Sequence, residues 1–387
     1  MNVYVSVLRN RSIERQLINY GVRRSPLAPV SSTGVTKSRF SAISMWFAVV
    51  LFGLLGFLPT HAWASCSFVS GFFTVPLTAS FTGSITVGRD VPIGTELYRS
   101  QAISSTKSTI NCDALSVFNY FYTATPLPAS GYTSPAYGNQ PIYRTNVAGI
   151  GVVAWAGSPS QAFPANFNSV EAGRNYSWGV HSFYYSLVKT ANVVGAGTIT
   201  ASSLPVVQYR IGSNNLTVEQ GRAAGSVNVV ARTCTTPDVN VPMGTRLTSE
   251  LNGVGSFTSS VDVPIALNNC PAFFGTHDTL NSDGTVTNSV RSSNSISYQL
   301  DPTTSVVNQS QGIFALRSGG ATGMGIQILN SAGVPVALSS RLSSGLSLTQ
   351  TDGMNYTISL LARYYQTQAT ITPGAANSSL TVTLTYL

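Results

Sequence analysis

The sequence predicts an all-β protein, and three observations lead to that prediction. Charged residues make up only 9% of the chain, well below the ~25% of ordinary globular proteins. Ser, Thr, Gly, Val and Tyr dominate instead, which suits strands and turns. After residue 65 no window has sustained helical periodicity, whereas short alternating runs recur between Gly, Pro and Ser clusters. The 43% apolar and 10% aromatic content is enough for a packed core, which argues against a disordered Ser/Thr-rich linker.

Residues 1–64 have the three parts of a secretory signal. A basic region precedes an apolar core at Met45–Leu58, and Ala62-Trp63-Ala64 forms a small-x-small cleavage site, so we expect the mature chain to begin at Ser65. The apolar core is too short for a comfortable membrane span. Most of the net charge of +8 lies in this leader, so the charge does not indicate a nucleic-acid partner. The leader contains one acidic residue, Glu14. Its basic residues are Arg9, Arg11, Arg15, Arg23, Arg24, Lys37 and Arg39.

Four cysteines follow the leader: Cys66, Cys112, Cys234 and Cys270. Four cysteines allow three pairings, and their division between the two halves of the chain favours Cys66 with Cys112 and Cys234 with Cys270. Each bridge would close a loop of about 40 residues, worth ~4 kcal/mol in the chain-entropy model, and would require an oxidising compartment. A zinc site is the alternative, but the sequence contains no Cys-x-x-Cys and few histidines.

The length of the chain after residue 64 suggests two domains, and the first is expected at residues 65–213. Turns rich in Gly, Pro and Ser separate its predicted short strands. These strands are expected at Ser84–Val87, Glu96–Arg99, Val117–Thr123, Gly149–Trp155 and Ser177–Val188.

The second domain is expected at residues 214–387. Its first strand is predicted at Ser226–Cys234, and later strands at Val261–Cys270, Ser295–Pro302, Gly312–Ser318 and Ala321–Leu329.

We expect the final strand of the second domain to have no following strand beside it, and such an edge normally invites aggregation. Apolar and hydroxyl residues alternate along it, so one face is apolar. The apolar positions are Leu380, Val382, Leu384 and Tyr386, and the hydroxyl positions are Ser379, Thr381, Thr383 and Thr385.

This ending resembles the carboxyl-terminal signature of fimbrial (pilus) subunits assembled by the chaperone–usher route. The ISLLARYYQT segment, the turn at Gly374-Ala375, the alternating last strand and the penultimate Tyr386 carry the resemblance. It implies an immunoglobulin-like sandwich that lacks its last strand. A periplasmic chaperone, then a neighbouring subunit, would supply that strand by strand addition, with Leu380, Val382, Leu384 and Tyr386 on the contact strand. It also implies an outer-membrane usher as a partner and export through the periplasm to the fimbrium at the cell surface.

The first domain resembles the receptor-binding domain of two-domain fimbrial tip adhesins, most like the type 3 and type 1 classes. The stretches Gly88–Ser100 and Thr145–Trp155 carry this likeness. It implies a β-sandwich that binds a host glycan or a matrix protein. The mature chain also reaches Cys66 at its second residue, which leaves no amino-terminal arm to donate and predicts a tip position. A structural minor pilin or adaptor without a ligand of its own is the alternative.

An enzymatic function is not expected, and neither a cofactor nor a metal is predicted. The sequence lacks a Gly-x-Ser-x-Gly elbow, a phosphate loop and a metal-spaced histidine pair. A surface glycosidase would need two converging carboxylates. His277 is expected in a surface turn, and His181 is expected to be structural or edge-exposed.

Receptor contacts are predicted in the loop between Thr123 and Ile142, where aromatic and amide side chains suit the ring faces and hydroxyls of a sugar. We expect this loop at the end of the first domain remote from residue 214. The alternative is that its tyrosines merely cover the end of the sandwich, while Trp155, Trp178, Tyr184 and Tyr185 are expected in the core. The predicted receptor-binding residues are Tyr132, Tyr137, Asn139 and Gln140.

Overall fold

The computed structural model describes the backbone of residues 2–7 and all of residues 65–387. Apart from residues 2–7, the predicted leader lies outside the described residues, including its apolar core and cleavage site. Within the described residues no helix is long and apolar enough to cross a membrane. The prediction of an all-β protein with two sandwiches is confirmed, since strands dominate the described residues and the helical segments among them are single 3-10 turns.

The strands up to residue 230 are β1 (Asn2–Val7), β2 (Cys66–Phe68), β3 (Val75–Phe81), β4 (Ser84–Thr86), β5 (Glu96–Ser104), β6 (Ser108–Cys112), β7 (Ser116–Ala124), β8 (Tyr143–Arg144), β9 (Ile150–Trp155), β10 (Ala165–Val170), β11 (Asn175–Trp178), β12 (His181–Lys189), β13 (Gly197–Thr200), β14 (Val206–Ile211) and β15 (Leu216–Val230). The remaining strands are β16 (Val239–Pro242), β17 (Val261–Cys270), β18 (Thr276–Ser282), β19 (Thr285–Ser292), β20 (Ile296–Pro302), β21 (Val306–Asn308), β22 (Ile313–Ala315), β23 (Met324–Asn330), β24 (Leu342–Ser343), β25 (Met354–Gln366) and β26 (Ser378–Tyr386). The 3-10 turns are Pro135–Tyr137, Pro159–Gln161, Ala201–Ser203 and Thr248–Glu250.

The first sandwich packs two large sheets around an apolar core. One sheet has the order β10-β7-β14-β15-β13, and β3 and β4 also pair with β15. The other has the order β19-β18-β5-β12-β9-β8, and a small sheet, β11-β6-β2, lies beside them. Alternate residues of β5 and β12 point inward, as the period of a strand requires. The largest fully buried side chains here include Tyr98, Phe118, Phe183 and Tyr185.

The second sandwich consists of the sheets β16-β1-β26-β20-β24 and β17-β25-β23-β22-β21. The four apolar positions of the last strand, Leu380, Val382, Leu384 and Tyr386, are all buried in the core between these sheets. Thr381 and Thr383 lie on the other face and are half-buried. The alternation in the sequence therefore predicted correctly which face of β26 packs against the core.

One strand beside β26 comes from the far end of the chain. β26 pairs with β20 on one side and with β1 on the other, where β1 runs parallel to it from Val3 opposite Ser378 to Val7 opposite Val382. The other edge of β1 pairs antiparallel with β16. The sheet is thus continuous only because a short strand distant in sequence lies between β16 and β26.

Both disulfides follow the pairing that the positions of the cysteines favoured. Cys66 bonds to Cys112 in the first sandwich, and Cys234 bonds to Cys270 in the second. No bridge joins the two halves, because the described residues contain no further cysteine.

The long strand β15 alters the expected organisation at residue 214. Residues 226–230, predicted to open the second sandwich, instead end β15, where they pair with β13 and β4. Asn214 lies at the opposite end of the strand, where its amide accepts from the Cys66 N–H (3.1 Å) and donates to the Cys66 carbonyl (2.7 Å). At about 3.3 Å per residue, β15 runs on the order of 45–50 Å from there toward the second sandwich. The division at 213/214 remains a prediction.

The hairpin β18–β19 comes from the predicted second domain but belongs to a sheet of the first. β18 runs parallel to β5, from His277 opposite Tyr98 to Ser282 opposite Ile103. The Tyr98 hydroxyl bonds to Thr279, and Arg291 forms an ion pair with Glu96. Burial alone would raise the pKa of Glu96, but hydrogen bonds from Arg99, Ser186 and Arg291 outweigh it and lower the pKa. The hairpin is therefore fixed by backbone, hydroxyl and ionic contacts.

Further contacts join the two sandwiches next to the hairpin. The Thr86 hydroxyl donates to the Ala272 carbonyl (2.7 Å) and accepts from the Phe274 N–H (2.9 Å). The Asp90 carboxylate accepts from the N–H of Tyr386 (3.0 Å). These contacts define a junction end of the first sandwich, containing Thr86, Asp90 and Glu96. The opposite end, containing Cys66, Ser104 and Asn214, is called the far end below.

Candidate functional site

The predicted receptor residue Tyr137 is buried. It closes the 3-10 turn Pro135–Tyr137, which Ser134 caps by accepting a hydrogen bond from the Ala136 N–H at 3.3 Å. The side chain is only 4% exposed and packs in an apolar cluster with Trp155 and Val188, among others. Burial raises its pKa to about 12. In this position Tyr137 covers the sandwich, which was the alternative interpretation of the loop tyrosines.

The other three predicted residues do not share one environment. Asn139 is exposed, with a positive φ of 56°, whereas Tyr132 and Gln140 are half-buried. The Tyr132 hydroxyl lies so close to Gly94 that any side chain at that glycine would collide with it. Asn139 is the most accessible of the four, and its role in binding remains a prediction.

The loop lies toward the second sandwich. Tyr132 packs against Gly94. The Gly94 N–H donates to the carbonyl of Lys189 at the junction end (2.8 Å). The Lys189 ammonium in turn donates to the Arg89 carbonyl (2.9 Å), and Gly88 lies directly against the Tyr386 backbone. Because Asn214 lies at the far end, the loop is remote from residue 214 without being remote from the second sandwich.

A pocket of about 410 Å³ opens at the far end of the first sandwich, within the usual range for small-ligand sites. Its main feature is a row of stacked rings from β7 and β14, which continues to Phe163, a buried residue of the segment before β10 that does not line the pocket. Tyr120 stacks on Phe163 at 4.4 Å between ring centres and on Tyr209 at 4.0 Å. Tyr209 stacks in turn on Phe118 at 4.5 Å. The row follows from the register that places Tyr209 opposite Tyr120 on adjacent strands.

Two further rings stand nearly perpendicular to this row. Phe167 meets Tyr120 at 82°, and Trp178 meets Phe118 at 83°. Both are half-buried, and both line the pocket. The sequence predicted Trp178 as a core residue, but its ring borders an accessible cavity.

The pocket contains a buried acid. Glu219 on β15 lines it with a side chain only 5% exposed. Its Oε2 accepts from the Tyr120 hydroxyl (2.9 Å), and its Oε1 lies 2.7 Å from Nδ1 of His181, whose side chain is fully buried. The Trp178 indole N–H points at the same Nδ1 at 3.0 Å. His181 is thus structural, as expected, but it belongs to a polar cluster at the base of the pocket.

The acid affects the rings around it. Burial raises the pKa of Tyr120 well above its ordinary value, and the negative charge of Glu219 raises it further. The same two causes, in the same order, raise the pKa of Tyr209. Both phenols therefore keep their protons to a higher pH than an ordinary tyrosine does, and the Tyr120 hydroxyl donates its hydrogen bond to Glu219.

Neither Glu219 nor Tyr209 was singled out from the sequence. The residues that build the pocket are spread over about 100 positions, from Phe118 to Glu219, so no local motif marks it. The one usable signal was the dense group of aromatics around His181.

Comparisons with known proteins agree with this architecture. Residues 223–387 match the family model described as fimbrial protein, and residues 80–220 match the MrkD-like receptor binding domain. A type 1 fimbrial subunit from Klebsiella pneumoniae is 30% identical over 203 residues, which cover 51% of this chain and 98% of the relative. The chain belongs to the fimbrial protein family. With its receptor-binding match it is a fimbrial adhesin, and the family has a binding and structural role in surface pili.

One longer but weaker similarity extends over both sandwiches of this fimbrial adhesin, and one structural similarity covers less than half of the chain. A fimbria adhesin protein from Klebsiella pneumoniae is 23% identical over 340 residues, covering 86% of this chain and 97% of the relative. Among solved structures, the receptor binding domain of the plasmid-born adhesin MrkD1P of Klebsiella pneumoniae is 17% identical. That comparison covers 44% of this chain and 99% of the other, with a TM-score of 0.32.

Proposed function

We propose that this fimbrial adhesin attaches its bacterium to a host receptor, a glycan or an extracellular-matrix protein, through the first sandwich. The observation that carries the proposal is the match of residues 80–220 to a receptor-binding family model, because it covers the part of the chain that does not resemble a pilus subunit. The pocket at the far end supports it, since that end is the one turned away from the sandwich that would join the pilus.

We further propose that the second sandwich is held in the pilus by donor-strand complementation. A periplasmic chaperone would first fill the gap between β16 and β26, the usher would receive the complex, and a neighbouring subunit would replace the chaperone strand. The occupation of this gap by β1 supports the proposal, because it indicates that the gap accepts an extended strand. The parallel pairing of β1 with β26 suits an incoming strand that follows the direction of β26.

The start of the expected mature chain supports a position at the tip. The N–H of Ser65 donates to the Asp113 carboxylate (2.5 Å). Cys66 forms a disulfide with Cys112, and its N–H donates to the side-chain oxygen of Asn214 (3.1 Å). If the leader ends at Ala64, these residues are part of the first sandwich and cannot extend as a donor arm. The subunit could then accept a strand but could not give one.

Binding of the full chain to arrays of glycans and matrix proteins tests the receptor proposal. The full chain is required because a fragment ending at residue 213 would lose β15 and the hairpin β18–β19, both of which belong to sheets of the first sandwich. We expect specific retention on at least one receptor class. A chain that is folded and incorporated into pili but retained by no glycan or matrix protein would instead be a minor pilin or adaptor.

A further inference from the structure

We propose that the far-end pocket binds an organic cation, an alkylammonium or guanidinium group presented by the receptor, seated against Glu219 among the surrounding rings. This inference rests on the proposed function in one respect, namely that the first sandwich binds a receptor. Lysine or arginine side chains of a protein and amino sugars of a glycan share this chemistry.

The charge of the pocket favours a cation. Glu219 is the one formally charged residue among those that line it in the described chain. A buried carboxylate is costly unless an opposite charge pairs with it. The nearest candidate, His181, supplies a charge only if it is protonated. An anionic ligand would be repelled, whereas a cation would add the missing opposite charge.

The hydrogen-bond pattern at the base of the pocket is incomplete. Nδ1 of His181 cannot both donate to Glu219 and accept from Trp178, because a ring nitrogen that carries a proton has no free lone pair. One of these two short contacts therefore lacks a proper hydrogen bond in either tautomer. The opposite ring nitrogen, Nε2, is buried without a partner among the described residues. The two oxygens of Glu219 can accept more than the two bonds assigned to them, so a ligand with several N–H groups suits this base.

The aromatic surroundings favour the same class of ligand. A cation is attracted to the face of an aromatic ring by about 0.5–2 kcal/mol, depending on how far it is desolvated. The stacked rings cover most of one another's faces. Phe167 and Trp178 are nearly perpendicular to the stacked rings and are half-buried at the pocket, so they are the rings available to a cation. A neutral sugar could also bond to Glu219, yet it would gain nothing from the uncompensated charge.

The pocket also has the placement that a tip protein requires. Glu219 lies near the start of β15, eleven residues before its end at Val230, which is about 36 Å along the strand. The second sandwich begins only after that end. A ligand at Glu219 is therefore held well away from the part of the chain that would contact the pilus.

Titration of the full chain with small cations tests the inference. We would measure binding of N-acetyl-lysine methylamide, N-acetyl-arginine methylamide and glucosamine by NMR chemical-shift perturbation, with N-acetylglucosamine as the neutral sugar. We expect at least one cation to bind, the neutral sugar to bind at least tenfold more weakly, and added salt to weaken cation binding. The two types of cation distinguish a protein side chain from an amino sugar as the source.

Variants locate the binding. Glu219→Gln keeps the shape of the side chain and removes its charge, and should weaken cation binding at least tenfold. The control Glu171→Gln removes an acid that is 70% exposed and paired with Arg174, and should leave binding unchanged. Should Glu219→Gln fail to fold, Phe167→Leu keeps an apolar side chain but removes a ring at the pocket, and should weaken cation binding several-fold.

The outcomes separate this inference from the proposed function. If no cation binds, if N-acetylglucosamine binds as well as the cations, or if both Glu219→Gln and Phe167→Leu bind normally, the pocket is not a cation site. Retention of the unmodified chain on receptor arrays would in that case still support adhesion. Cation binding that depends on Glu219 would support the pocket even if every array proved negative.

Discussion

Removal of β1 should destabilise the second sandwich much more than the first. In a chain that begins at Ser65, the strand between β16 and β26 is absent. β1 forms four residue pairs with β16 and five with β26. At about one hydrogen bond for each of these nine pairs and a net 0.5–1.5 kcal/mol per bond, the loss is on the order of 5–14 kcal/mol. A whole domain is stable by only about 5–15 kcal/mol, so the truncated second sandwich should lie close to its folding threshold.

The two sandwiches can be followed separately in one denaturant titration. Trp155 and Trp178 are the only tryptophans after residue 64, and both lie in the first sandwich, so tryptophan fluorescence reports on that part. Far-ultraviolet circular dichroism reports on both parts. We expect the truncated chain to have an early transition in circular dichroism that fluorescence does not follow, together with aggregation through the open edge.

A synthetic peptide of residues 1–10 should reverse this loss. Its binding to the folded state should move the early transition to higher denaturant as the peptide concentration rises. A peptide with Val5→Pro is the matched control, because proline removes a backbone N–H from the ladder and should restore little. A truncated chain that unfolds at the same midpoint as the full chain, with no response to either peptide, would refute the incomplete-sandwich interpretation.

Three further results are expected. Thr86→Val should lower the free energy of unfolding, measured by urea titration, by about 2–4 kcal/mol, because the buried Ala272 carbonyl and the partly buried Phe274 N–H lose their partner at the junction. The control Thr285→Val changes an exposed residue and should cost less than about 0.5 kcal/mol. The free energy of unfolding should fall as the pH rises from 10 to 12. In the unfolded chain Tyr137 ionises at its ordinary pKa of 10.0, whereas in the folded chain its pKa is about 12, so ionisation favours the unfolded state. Unfolding midpoints that stay constant over this pH range would contradict the prediction. Replacing Cys66 and Cys112 together by Ser should cost about 4 kcal/mol for a separation of 46 residues and reduce receptor binding, which non-reducing peptide mapping and array binding would check.

The parts of the fold set by local alternation could be predicted from the sequence. Leu380, Val382 and Leu384 alternate with hydroxyl residues, and the structure buries them on one face of β26. The cysteines could be paired because each bridge closes a loop within one half of the chain. Such features depend on neighbours in sequence or on chain connectivity, which a single sequence contains.

Features set by distant pairing could not be predicted. Nothing in residues 226–230 shows that they pair with β13 and β4 of the first sandwich, because their alternating pattern would suit either sandwich. Tyr137 lies in a loop with the composition of a binding surface, yet a 3-10 turn directs its ring into the core. The sequence around Glu219 indicates only a polar residue in an ordinary strand, because its contact with His181 depends on tertiary packing.

The hairpin β18–β19 has a consequence for how the chain is made. Synthesis proceeds from the amino terminus, so residues 65–230 exist before residues 276–292, and the edge of β5 stays open until the hairpin arrives. The receptor-binding half therefore cannot complete its sheet as an independent unit, however early it is translated. A chimera that exchanged this half between fimbrial proteins at a single crossover would separate β5 from β18. To keep the sheet whole, recombination would have to transfer residues 276–292 as well.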